Sequence, residues 1–384
     1  MKILFVSRGF PSEQDPMAGN YEAVQAKALA QKGHEVSVLA IQWRSLVHKL
    51  SDTPLNCRIV DCITVFECKK SSFLLPSHLL ARFEIKNRQR LFGKIFKKYL
   101  KKNGMPDVVH AHIISCASPA IILKEKYRLP FVITEHWSKM NVDNISPWLA
   151  LQAKVYRKAD RVICVSDALA NNLKKHFDID CAIIHNMVPD AFFVSRKIDR
   201  NDYSFRFITI GALRKLKRFD LLIEAFAKSG FQENVVLDIV GGGEEKAALE
   251  NKIVECGLSK QVHLLGVKSH EEVCDLLCQS DCFVLSSSSE TFGIVIIEAL
   301  AKGLPVVSTA SGGPQTFMRK KDGLLIPIED VLALTNALKY MVEHHKEYDP
   351  EEIRQHCYQA FSQDVIADEI IDLYKQVLGS SQNN

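Results

Sequence analysis

Short apolar runs alternate with helix-length stretches along the whole of this chain. That alternation constrains the fold more than any other feature. In the first half, Ile3 to Ser7, Glu35 to Ala40, Asp107 to His112, Phe131 to Thr134, Arg161 to Val165 and Ala182 to Ile184 read as strands. Helices are expected at Tyr21 to Lys32 (closed by Gly33) and near 80–102, 117–126, 147–159 and 167–176. The second half repeats the pattern. Its strands are Phe205 to Ile210, Val235 to Val240, Val262 to Leu265, Cys282 to Leu285, Pro305 to Thr309 and Gly323 to Ile326, followed by helices near 330–345, 350–360 and 364–378. Short apolar strands alternating with helices indicate parallel sheets covered on both faces. The predicted class is therefore α/β, with two doubly wound domains. The polar, irregular stretch from Asn186 to Ser204 separates the halves, and the boundary is set at 195/196. A length of 384 residues suits two domains. Ligands of such sheets bind outside the carboxyl ends of the strands.

Composition excludes several classes. A net charge of +4 is too mild to imply nucleic acid. No apolar stretch approaches the roughly 18 residues needed to span a bilayer, and Met1 to Ser7 runs straight into Arg8, too short for a secretory signal. Eleven cysteines, an odd number with no Cys-x-x-Cys, fit reduced thiols in a cytosol. Cys274, Cys278 and Cys282 are spaced by four. A metal site is one reading, and inward packing from a helix with Cys282 opening a strand is the simpler one.

The pair Glu290 and Glu298 carries most of the chemistry. It lies in an apolar strand, a turn of four serines (Ser286 to Ser289), a helix and a stop at Gly303. A strand leading through a turn into a helix presents free backbone N–H groups to an anion. Carboxylates bracketing that point accept from hydroxyls. Phosphate with polyol describes a nucleotide sugar. The rival reading is that both acids merely favour the helix dipole. Ile294 to Ile297 has strand propensity, so the helix here rests on the turn and on Gly303. Arg214 and Lys217 follow the first strand of the second half and would neutralise a departing diphosphate. Gly241-Gly-Gly243 follows the next strand. Its spacing to Lys246 lacks the third small residue of a dinucleotide fingerprint, and no acid ends the following strand. Gly19 and Asn20 follow the first strand, where a missing Cβ permits close approach. His110 and His112 share one strand face, a spacing that could ligate a metal, but there is no convincing third ligand, His136 being the one nearby candidate. Asp178-Ile-Asp180 reads as a turn.

The stretch Glu290 to Glu298, with Phe292-Gly293 and the later Gly312-Gly-Pro-Gln315 loop, resembles the E-x7-E signature of the family-4 retaining glycosyltransferases. The resemblance extends through Gly19 to Val36, Pro106 to His112, Thr134 to His136, Val165 to Leu169, His185 to Pro189, Gly211 to Phe226 and Val240 to Glu244, over about 300 residues in order. It implies the GT-B fold, two Rossmann-like doubly wound domains facing a central cleft. Residues 1–195 would form the acceptor-binding domain, with the last helix (about 364–378) packing back on it, and 196–363 the nucleotide-sugar-binding domain. It further implies a metal-independent reaction that retains anomeric configuration by front-face attack. Glu290 would hold the hexose, Glu298 the ribose, the amides of Phe292, Gly293 and Ile294 the diphosphate or sugar, and the backbone near Val267 the base. Gly241 and Gly243 would lie by the nucleotide, His112 by the donor sugar and His136 on the acceptor side. Two positions depart from the family. Ala212 stands where Arg is frequent, a role Arg214 would take, and Gln315 stands where Glu is usual.

The segment from Glu84 to Lys102 carries basic residues beside an apolar stripe (Leu91, Phe92, Ile95, Phe96, Tyr99 and Leu100). It either lies on an anionic membrane or packs its stripe on the domain and solvates its charges. Membrane contact would suit a lipid-linked acceptor and a peripheral position on the inner face of the cell membrane. The expected reaction moves a hexosyl unit from a nucleotide-diphosphate sugar to a saccharide or lipid-linked saccharide, without cofactor or metal, in surface polysaccharide or glycan synthesis. The alternatives are a non-hydrolysing sugar-nucleotide epimerase, a non-catalytic nucleotide-sugar-binding protein and, more distantly, a dehydrogenase.

Overall fold

The inner strands of both sheets are buried on both faces, as their uninterrupted apolar sequences require. All five residues of Val108–His112 and all six of Val235–Val240 are buried. The computed structural model describes residues 1–384 except 14, 16–17, 46–51, 73–77, 195–204 and 383–384. It divides into one unit of Met1–Asn186 with Gln363–Asn384 and a second of Met187–Ser362.

The described strands of the first unit are β1 (Lys2–Ser7), β2 (Glu35–Ser45), β3 (Asn56–Val60), β4 (Ile63–Ser72), β5 (Val108–His112), β6 (Phe131–Glu135), β7 (Arg161–Cys164) and β8 (Ala182–Ile183). They form one sheet in the order β3-β4-β2-β1-β5-β6-β7-β8. Only the β3/β4 pair is antiparallel. The second unit holds β9 (Phe205–Ile210), β10 (Val235–Val240), β11 (Val262–Gly266), β12 (Cys282–Leu285), β13 (Val306–Thr309) and β14 (Gly323–Ile326). Their order is β11-β10-β9-β12-β13-β14, parallel throughout. In each sheet the strand order reverses beside the first strand, between β1 and β5 and between β9 and β12. At such points ligands meet the carboxyl ends of doubly wound sheets.

The β3–β4 hairpin is absent from the sequence reading. Its two-residue turn places Asp61 at φ 47° and Cys62 at φ 65°, the left-handed pair that usually carries Asn-Gly. The helix expected at 117–126 is two helices, Ile114–Ala120 and Ile122–Tyr127. The one expected at 147–159 is α-helical over Pro147–Gln152 and tightens to 3₁₀ over Ala153–Lys158. The division falls at 186/187 rather than 195/196. Val188 N donates to Phe361 O at 2.8 Å, and Lys302 Nζ donates to Val194 O at 3.0 Å, so the stretch after Asn186 belongs with the second unit. The terminal helix Gln363–Gln382 belongs to the first unit. Tyr374 OH meets His110 Nδ1 at 2.6 Å, and Lys32 pairs with Asp364 and, at 2.8 Å, with Asp368.

The segment Ile294–Ala301 is a helix despite its β-branched run, because it begins at Gly293 (φ 101°) and six of its eight residues are buried. A helix buried all round reads as an apolar run without periodicity. The basic segment is a helix over His78–Asn103. Its stripe is not available to a membrane: Phe92, Ile95, Phe96 and Tyr99 are buried, with Tyr99 against Phe66 at 5.1 Å and Phe96 against Tyr127 at the same separation. Arg88 is buried too, paired with Glu84 at 2.9 Å and lying over the rings of Trp43 and Trp148. Arg82, Lys86, Arg90, Lys94, Lys97, Lys98, Lys101 and Lys102 are exposed.

Candidate functional site

In the second unit the carboxyl ends of β9, β12 and β13 are tied together by the serines before Glu290. Ser286 Oγ donates to Lys217 O at 2.8 Å, Ser288 N to Leu216 O at 2.9 Å, and Thr309 Oγ1 to Ser287 O at 2.6 Å. The turn thereby places Lys217, on a 3₁₀ turn over Lys215–Lys217, against Glu290. Lys217 Nζ donates to Glu290 Oε1 at 2.5 Å, and Ser287 Oγ donates to the same oxygen at 2.7 Å. The cation expected for phosphate and the carboxylate expected for sugar are therefore joined. Arg214 is exposed in extended backbone (φ −128°, ψ 152°) and makes no ion pair among the described residues.

The loop after β13 supports this turn. Glu290 N donates to Ser311 O at 2.8 Å, and Gly313 N donates to Glu290 O at 3.0 Å. A Cβ on Gly313 would lie 2.4 Å from the Phe292 backbone. Gln315 accepts from Gly312 N at 2.7 Å, so its neutral amide suffices to hold the loop. The Phe292 ring is buried against Phe317 at 4.7 Å, which leaves its backbone as the part offered to a ligand. Gly293 and Ile294 open the helix that follows, and Glu298 lies in it, 7% exposed. Burial pushes the Glu298 carboxyl up to about 8.

Gly241 and Gly243 have a packing duty. A Cβ on Gly241 would lie 1.9 Å from Gly211 O, and one on Gly243 would lie 2.5 Å from Leu213 O. The loops after β9 and β10 lie backbone to backbone, with Leu213 N donating to Gly242 O at 3.0 Å. Val267 is 73% exposed beside this loop, and a Cβ on Gly242 would come within 2.8 Å of its side chain.

In the first unit, Gly19 (φ 65°) packs in the same way, since a Cβ there would lie 2.1 Å from Gly9 O. Asn20 begins the helix Asn20–Gln31. His110 is a satisfied core histidine, bound by Tyr374 OH and, at 2.7 Å, by Thr134 Oγ1. It stacks on His112 with ring centroids 4.6 Å apart. His112 is fully buried, and neither ring nitrogen has a partner. His136 Nε2 is also unpartnered. Burial holds all three histidines neutral at ordinary pH. His110 and His136 are lowered to about 3, and the Arg8 charge adds to the effect on His136. Asp178-Ile-Asp180 is a turn: Asp178, at φ 55°, ends a helix, and both acids pair with Lys174. Cys274 packs inward from the helix His270–Cys278, Cys278 is partly buried on its last residue, and Cys282 begins β12.

Two acids escaped the sequence reading. Glu22 is buried and lies beside His112 and His136. Its signal was an acid at helical spacing from buried Ala26 and Leu29. Glu135, fully buried, accepts from Tyr156 OH at 2.6 Å and from the amides of Ile114 (2.8 Å), Trp137 (2.9 Å) and His136 (3.1 Å). It fixes both turns flanking the histidines, including Ile113, a β-branched residue at φ 60°. Arg8 lies over the Trp137 ring and lines a cavity of about 740 Å³ with Ser12, Asn56, Arg58, Glu67 and Lys69.

Glu298 lends itself to a stability test. Its carboxyl is ionised above the ordinary carboxylate range when unfolded but stays protonated up to about 8 when folded. Stability is therefore lost as pH rises from about 4.5 toward 8. Glu298→Gln is expected to stabilise the protein by about 1–3 kcal/mol between about pH 7 and 8, and by nothing near pH 4. Urea denaturation at the two pH values checks this; an equal effect at both would contradict it.

Known proteins match this arrangement over most of the chain. The profile described as Glycosyltransferase Family 4 matches residues 19–192, and that described as Glycosyl transferases group 1 matches residues 191–360. A protein of Bacillus subtilis (strain 168), provisionally described as a teichuronic acid biosynthesis glycosyltransferase, is 26% identical over 91% of both chains. The solved sucrose-phosphate synthase of Thermosynechococcus elongatus superposes with a TM-score of 0.79 at 20% identity, covering 98% of this chain and 99% of its own. Anabaena HepE, solved in complex with UDP and glucose, gives 0.72 at 19% identity, covering 98% and 99%. These likenesses agree with the two doubly wound α/β sheets. The chain belongs to the family-4 glycosyltransferases of GT-B fold.

Proposed function

We propose that this glycosyltransferase moves a hexosyl unit from a nucleotide-diphosphate sugar to an acceptor hydroxyl with retention of configuration and without a metal. The observation that carries this reading is the Lys217–Glu290 pair at the turn entering the helix Ile294–Ala301. A donor arriving there would exchange the pair for two better-matched partners, diphosphate for Lys217 and sugar hydroxyls for Glu290. Arg214, which is exposed, would add a second cation to the departing phosphate. The amides of Phe292 to Ile294 would take a phosphate or sugar oxygen. Glu298 would accept from the ribose, Gly241 and Gly243 would let the nucleotide approach the backbone, and Val267 would cover the base. The leaving phosphate would accept the acceptor proton as the new bond forms on the face it vacates. One structural neighbour was solved with UDP and glucose, which supports this assignment by analogy.

On the first unit, His112 would support the sugar and His136 the acceptor. The cavity beside Arg8 is lined by charges of both signs and by amide and hydroxyl groups, which suits a saccharide. Surface polysaccharide or glycan synthesis is the proposed context, with a cytoplasmic location. No helix among the described residues is long and apolar enough to cross a membrane. The exposed cations of His78–Asn103 would hold an anionic, lipid-linked acceptor's membrane by charge alone, since the apolar stripe is buried.

A metal-free thermal-shift panel of UDP, GDP, ADP, dTDP and NAD tests the donor site. A diphosphate at about 100 times its Kd adds about 2.7 kcal/mol of stability. One nucleoside diphosphate is expected to shift the wild type clearly and Glu298→Ala much less. A shift with NAD alone, or with no diphosphate, would overturn the reading. For the membrane, the protein is expected to sediment with phosphatidylglycerol vesicles in low salt and to be released by added salt. Binding that survives high salt, or no binding, would count against contact by charge alone.

A further inference from the structure

Among the described residues, one group brings together ligand atoms from three side chains, two of them histidines with a buried ring nitrogen that has no hydrogen-bond partner. Glu22, on the helix Asn20–Gln31, joins His112 at the end of β5 and His136 just beyond β6. One carboxylate oxygen and one nitrogen from each ring lie within 4.8 Å of one another. We infer that Glu22, His112 and His136 form a binding site for one divalent transition cation, of the zinc and cobalt class.

Three observations carry this. His112 is 0% exposed with both ring nitrogens unpartnered, and His136 Nε2 is unpartnered beside it. A buried polar atom without a partner is destabilising, and a cation would satisfy one on each ring. The rings are also held in place. His112 stacks on His110, which Tyr374 and Thr134 lock, and it packs against Phe5 at 4.8 Å. Tyr21 packs against His136 at 4.9 Å. The ligand chemistry fits as well: two neutral imidazoles with a carboxylate suit zinc or cobalt, at bond lengths of about 2.0–2.2 Å. In a tetrahedral shell such bonds set the ligand atoms about 3.4 Å apart, so closure needs side-chain movements on the order of 1 Å.

The charge nearby sets the affinity. The nearby Arg8 charge acts on Glu22 and would repel a cation bound there. The proposal does not depend on the donor reading. A cation here would occupy one His112 nitrogen and so inhibit any step that uses it.

Cobalt(II) titration of the full chain carrying Cys62→Ser, which removes an exposed thiol, tests the inference. One equivalent is expected to bind with a visible absorption band. X-ray absorption at the cobalt edge is expected to show nitrogen and oxygen neighbours with imidazole rings behind them. Glu22→Gln and His136→Asn are expected to weaken binding by at least about tenfold, and Arg8→Gln to tighten it. Absence of binding, sulfur ligation, or affinity unchanged in both ligand variants would overturn the site. The absorption measurement on the parent chain decides even if a variant fails to fold.

Discussion

The Lys217–Glu290 ion pair is the contact on which the second unit's site depends. At 2.5 Å and largely buried, it neutralises two charges that would otherwise stand unpaired at the ends of β9 and β12. Everything around it serves its placement. The serines anchor the 215–217 turn, Thr309 reaches across from β13, and the Gly312–Gln315 loop closes over the Glu290 backbone. In the proposed reading a nucleotide sugar would meet both members of the pair, its diphosphate at Lys217 and its hydroxyls at Glu290, while a nucleoside diphosphate would meet the lysine alone.

The first unit reaches order by another route. There a carboxylate, Glu135, gathers four donors and holds the turns on either side of the histidines. Hydrogen bonds to a carboxylate favour its ionised form, while its burial favours the neutral one, and burial prevails in direction. The strained Ile113 backbone persists because Ile113 N is held by Thr134 O at 2.8 Å and the next amide by Glu135. Strain sustained by such surroundings collects at functional sites. The same network leaves His112 with no partner of its own.

Much of this was legible in the sequence because the governing signals are local. Buried parallel strands announce themselves as apolar runs, Glu290, Lys217 and Gly293 sit at turns whose residues encode them, and Glu298 lies in the helix that Gly293 opens. What escaped depends on tertiary packing. The β3–β4 turn uses Asp61 and Cys62 where glycine or asparagine is the usual sign. Glu22 and Glu135 look like ordinary polar residues until the fold buries them. Gly241 and Gly243 read as ligand contacts, yet their missing side chains are first required by the neighbouring loop at Gly211 and Leu213. The basic helix showed both a stripe and charges, and only the packing of Phe92, Phe96 and Tyr99 decided that the stripe faces inward.

The central claim is that a nucleoside diphosphate is held by the second unit at the ends of β9, β10 and β12. Hydrogen–deuterium exchange of the whole chain, with and without saturating UDP, GDP or ADP, tests it directly. The account predicts that one of these slows amide exchange in residues 211–218, 241–246 and 286–298 and leaves the strand interiors unchanged. Protection confined to residues 1–186, or none with any diphosphate, would contradict it.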